Sequence, residues 1–284
     1  MNLILCPTDF SRNATNAVKY AAALADDISA RLIIMNVYDK PVMFSDAPLT
    51  RIAQASAQIK SNAEKKIRQL ITKLKAKHKN ISFEIITKDG LPGEKLLGVA
   101  KKLNVDMIIM GSTGTSRLER LLIGSTTAKI IRDAPCPVLS IPKGATFSGI
   151  KKIVFATDLN EENISSAAMI SSFAKNFEAE ISFVYVDDKH LLHSDEQITA
   201  MTRKIRKRVK YAKISGYISK NTSITKGIEY FLKKKPADLL VMFTHPRHFP
   251  ESMFNTSITK MMSHQSNIPL LALKNADKPL LAPN

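Results

Sequence analysis

The chain has 284 residues, 44% hydrophobic and 24% charged, and no apolar run approaching the roughly 20 residues that a membrane-spanning helix needs. Its net charge of +17 is spread over both halves, so no basic tail accounts for it, and it attracts polyanions, whether nucleotide, nucleic acid or an anionic membrane surface. Two cysteines, Cys6 and Cys136, far apart and in apolar surroundings, exclude a framework of disulfides and fit a reducing cytoplasm.

The opening "MNLILCPTDF" has no basic leader, and its apolar run stops at Pro7. It reads as a strand over 2–7 rather than a signal peptide. A helix-period stretch over 12–27 follows, then strands over 31–37, 81–88, 105–110 and 137–141. Between them lie helices over 49–77, 92–103 and 125–133. These strands are apolar on both faces and rich in β-branched residues, as when helices cover both sides of a parallel sheet. "DKPVMFSDAPLTR", 39–51, reads as a flap over a crevice or a contact between subunits.

The same order is then written a second time. "ILCPTDFS" is answered by "IVFATDLN", so Thr8-Asp9 corresponds to Thr157-Asp158. The segment beginning "DMIIMGSTGTS" aligns without a gap with the one beginning "DLLVMFTHPRH". The fold class that follows is α/β: two tandem doubly wound, Rossmann-like domains, each a five-stranded, mainly parallel sheet with helices on both faces. The domains are expected at 1–144 and 149–276, with the seam near "PKGATFSGIKK". The apolar terminal segments "CPVLSIP" and "IPLLALK" are edge candidates, expected to pair the two halves.

In a doubly wound sheet, ligands bind beyond the carboxyl ends of the strands, where strand order reverses. Asp9, Val37 and Gly111 stand at such ends. Gly111, Gly114 and Gly124 sit at fixed offsets in "GSTGTSRLERLLIGST", and Gly124-Ser125-Thr126 opens a helix. Glycine lets a ligand approach the backbone, and a helix start offers unsatisfied N–H groups to a phosphate. Spacing alone fits equally well a loop that Gly124 ends and a helix that Ser125 or Thr126 merely caps.

The pattern G-x2-G-x9-G-[S/T], met by Gly111, Gly114, Gly124 and Ser125, resembles the signature of the universal stress protein family. "ILCPTDFS" is similar to that family's first strand and acidic residue. The resemblance runs through both halves and is specific in the first. It implies a site for ATP (or AMP/ADP), with Mg2+ as an optional companion. In it Pro7, Thr8, Asp9 and Val37 surround adenine and ribose, while Met110, Gly111, Gly114, Gly124, Ser125 and Thr126 hold ribose and phosphates.

The second half departs from this pattern. Gly111 becomes Phe243, Gly114 becomes Pro246, Gly124 becomes Thr256, and only Ser257 survives. Its crevice is expected to be dead for ATP, with Phe243 filling the space that Gly111 leaves open. The second half then serves as a pseudo-symmetric partner, as in a homodimer of single-domain members.

His190, His193, His245 and His248 are read as polar loop residues, with a metal or altered ligand site as the sharper alternative. "RKIRKRVKYAK", 203–213, reads as a solvated helix face, and nucleic acid as an unfavoured partner. No P-loop lysine and no catalytic triad can be assigned, and Arg117 and Arg120 are weak candidates for neutralising phosphate. The expected function is a cytoplasmic nucleotide-binding module of the stress response, with an unknown protein partner and a homodimer open. A slow ATPase or phosphotransferase and a nucleotide-free adaptor are the alternatives.

Overall fold

The computed structural model describes residues 2–39, 49–112, 124–157, 162–187, 195–243 and 268–274. In chain order the first half contains β1 (Leu3–Pro7), α1 (Arg12–Asp27), β2 (Arg31–Tyr38), α2 (Leu49–Lys75), β3 (Ser82–Asp89), α3 (Pro92–Lys102), β4 (Met107–Gly111), α4 (Ser125–Asp133) and β5 (Val138–Ile141). The second contains β6 (Lys152–Thr157), α5 (Glu162–Lys175), β7 (Glu180–Asp187), α6 (Asp195–Val209), β8 (Ile214–Lys220), α7 (Ile224–Lys234), β9 (Leu239–Phe243) and β10 (Leu270–Leu273). The expected elements of the first half are all present, within two residues at each boundary.

The strands form one ten-stranded sheet in the order β3-β2-β1-β4-β5-β10-β9-β6-β7-β8. Within each half every pairing is parallel. The two five-stranded units therefore do not stand apart. They fuse where β5 and β10 pair antiparallel, with Leu271 opposite Leu139. Both strands are buried along their whole length, so either one alone would present an apolar edge.

Alternation along the strands sorts their side chains to the two faces. Ile4 and Cys6 of β1 enter one core with α1, α2, α5 and α6, while Leu5 enters another with Leu96 of α3 and Ile130 of α4. The first core runs unbroken across the junction, from Ile141 to Leu271 and Phe155. The seam segment is packed into it. Phe147 lies edge-on to Tyr20 of α1 at 5.2 Å and to Phe177 at 6.3 Å. Asn16 Nδ2 donates to the Ala145 carbonyl at 2.9 Å.

After β3 the chain crosses back through α3 to lay β4 on the other side of β1. The strand order reverses between β1 and β4, which opens a crevice beyond Pro7 and Gly111. Among the described residues no helix is long and apolar enough to cross a membrane.

Candidate functional site

At the end of β1 the backbone runs into a tight, self-bonded turn. Thr8 N–H still donates to the Met35 carbonyl at 2.8 Å, which extends the ladder by one residue. Thr8 Oγ1 then accepts from Phe10 N–H at 3.1 Å, and Asp9 Oδ1 from Ser11 N–H at 2.9 Å. Phe10 takes a left-handed φ of 63°, and Ser11 caps α1 through Ala14 N–H at 3.1 Å. Beneath the turn, the buried Asn36 donates its Nδ2 to the Thr8 carbonyl at 2.7 Å. Asp9 is thereby held with an exposed carboxylate at the crevice mouth.

The end of β4 is tied to the start of α4. Gly124 N–H donates to the Ser112 carbonyl at 2.8 Å, and Thr127 Oγ1 to the Gly111 carbonyl at 3.0 Å. The N-cap of α4 is Gly124, and among the described residues no side chain caps the first turn. The capping role open to Ser125 and Thr126 in the sequence is therefore not taken, because both lie inside the helix. Its first N–H groups stay available to an outside acceptor.

Between these ends lies a cleft of about 340 Å3. Nine of the expected residues line it: Pro7, Thr8, Asp9, Val37, Met110, Gly111, Gly124, Ser125 and Thr126. Gly114 lies outside the described residues, as do Arg117, Arg120 and most of the 39–51 segment. Met35, Pro92 and Leu96 complete an apolar wall with Val37 and Met110. Asp39 adds a second carboxylate at the mouth. Asp39 was legible by the reasoning that picked Asp9, since it directly follows a strand's carboxyl end. Asn36 and Thr127 carried no such signal. Cys6, next to Pro7, is fully buried, and burial pushes its thiol pKa up, so it supplies no thiolate here.

Two expectations about single residues need correction. Gly111 lines the cleft with its backbone, but the space where its side chain would be faces α1: a Cβ there would lie 3.0 Å from Asn13 Nδ2 and 3.2 Å from the Asn13 carbonyl oxygen. The missing side chain admits α1. By the same geometry Phe243 does not fill the second crevice. Its ring is buried in the core of the α5 face, 5.4 Å from the ring of Phe155. Asp158, Pro246, Thr256, Ser257 and the four histidines His190, His193, His245 and His248 lie outside the described residues. Among the described residues no three His, Cys, Asp or Glu side chains cluster as metal ligands do.

Fold and cleft together define a doubly wound α/β protein whose unit is repeated in one continuous sheet, with a ligand-sized cleft at the switch point of the first copy. A sequence model of the universal stress protein family matches residues 1–142 and again 149–274. The chain belongs to that family. It is 29% identical over 143 residues to universal stress protein MJ0531 of Methanocaldococcus jannaschii, covering 49% of this chain and 81% of that one. It is 27% identical over 152 residues to MJ0577 of the same organism, covering 49% and 94%. The crystal structure of a universal stress protein from Archaeoglobus fulgidus DSM 4304 superposes with a TM-score of 0.71 over 96% of both chains. At 17% identity, that likeness concerns the fold.

Proposed function

We propose that the cleft between β1 and β4 binds an adenine nucleotide, ATP or its products ADP and AMP, and that occupancy rather than turnover is the output. The observation that carries this reading is the convergence of an uncapped helix start and an apolar slot in one cleft. The first N–H groups of α4, with the Ser125 and Thr126 hydroxyls, suit phosphates. Met35, Val37 and Leu96 offer apolar surface to a base, and Asp9 keeps one carboxylate oxygen for ribose hydroxyls. Mg2+ enters only as a companion of the phosphates, with Asp9 and Asp39 the carboxylates within reach.

In this reading one chain takes one nucleotide, in the unit proposed for residues 1–144. The unit proposed for 149–276 is a pseudo-symmetric partner whose phosphate side is altered by Pro246 and Thr256. The setting is cytoplasmic, and the signal passes to a protein partner. Calorimetric titration with ATP, ADP and AMP tests the proposal, and absence of saturable binding by all three would end it.

A further inference from the structure

At the far end of the sheet, under the amino ends of β6, β7 and β8, lies a second cavity of about 420 Å3. It owes nothing to the switch point. Lys152, Arg206, Lys213, Lys234 and Lys235 line it, from four separate parts of the second half, with Tyr217 on its wall.

The acceptors of these cations decide what the cavity can bind. Lys213 has a carboxylate, Glu178, at 3.3 Å, and Lys152 sits opposite Glu180 in the β6–β7 ladder. Asp238, close by, accepts the backbone N–H groups of Lys151 and Lys152. The other three cations rest on neutral groups. Arg206 donates from Nε at 2.7 Å, and also from Nη2, to the Ile214 carbonyl. Lys235 donates to the Tyr217 hydroxyl at 2.6 Å and lies 3.9 Å from that ring's centroid. Lys234 lies over the Tyr230 ring at 4.5 Å.

Three positive charges are thus oriented around one cavity whose single carboxylate, among the described residues, is Glu180, opposite Lys152. The carboxyl end of α7 supplies only about half a negative charge against two lysines. Arg203, Lys207 and Lys210, exposed on the neighbouring turns of α6 and beyond, raise the local potential further. Lys235 on Tyr217 leaves no open face there for a base, since the same ring packs on Phe231 at 5.2 Å. The hydrogen bond from Lys235 also pulls the Tyr217 hydroxyl below the usual phenol range.

We propose that this cavity is a second ligand site, for a small molecule carrying two or three adjacent phosphate groups that is recognised through its charge. The proposal is independent of nucleotide binding in the first cleft.

The test is calorimetric titration of the full chain with tripolyphosphate at about 150 mM salt, where long-range attraction is largely screened. Lys234→Gln/Lys235→Gln should weaken binding about tenfold or more. Glu180→Gln, which removes the opposing carboxylate, should tighten it. Lys101→Gln/Lys102→Gln on α3 removes the same net charge and should leave it unchanged. The Gly124→Asp variant, altered in the first cleft, should keep it. With that variant, tighter binding of ATP than of tripolyphosphate would assign the site to a nucleoside-borne phosphate chain, and equal binding to the chain alone. Equal losses in the two lysine pairs, loss in Gly124→Asp, or no saturable binding by the wild type would overturn the proposal.

Discussion

Asn13 lies so close beneath Gly111 that a side chain at 111 would press on it: a Cβ there would lie 3.0 Å from the Asn13 amide nitrogen and 3.2 Å from its carbonyl oxygen. One of the three motif glycines therefore serves helix-to-strand packing. Gly111→Ala should destabilise the chain by about 1–3 kcal/mol, as overpacking does. Chemical denaturation reads this, with ATP titration alongside. Unchanged stability with lost ATP binding would return Gly111 to the ligand side.

Gly124 differs, because it is an N-cap in extended backbone, φ −65° and ψ 152°, which any residue adopts. Aspartate there should bond the free N–H groups of α4 and stabilise the helix by a few tenths of a kcal/mol. The same carboxylate would occupy and repel the phosphate position. Gly124→Asp is therefore expected to hold or raise the melting temperature while lowering ATP affinity at least about tenfold. Retained affinity in the folded variant would contradict the proposed phosphate site.

The two aspartates of the repeat should behave unequally. Asp9→Ala is expected to weaken ATP binding, and Asp158→Ala to leave it nearly unchanged, with a stoichiometry of one per chain. Charge-assisted hydrogen bonds contribute about 1.5–3 kcal/mol each, so losing several on the phosphate side takes a micromolar site to millimolar. Two equivalent sites by calorimetry would show the second crevice to be competent.

Pairing of β5 with β10 covers two strands that are buried throughout. Residues 1–144 expressed alone leave β5 uncovered, and light scattering should find them self-associated at micromolar concentration. A strictly monomeric fragment would mean that β5 tolerates water.

Much of this architecture was legible in the amino-acid sequence. Strands such as "RLIIMNVY" are apolar on both faces, as a doubly covered parallel sheet requires, and the repeated Thr-Asp marks both first strands. The lining of the first cleft followed, because the carboxyl ends of β1, β2 and β4 must meet where the strand order reverses. The tertiary structure decided which way a side chain points at such an end. Whether position 111 or 243 faces ligand or helix depends on which face α1 and α5 cover, and local spacing carries no record of that. The tertiary structure alone also set Gly124 rather than Ser125 at the cap and locked Phe147 between Tyr20 and Phe177. It alone gathered Lys152, Arg206 and Lys235 around one cavity, since charges scattered over more than eighty residues acquire a common field only when the chain brings them together.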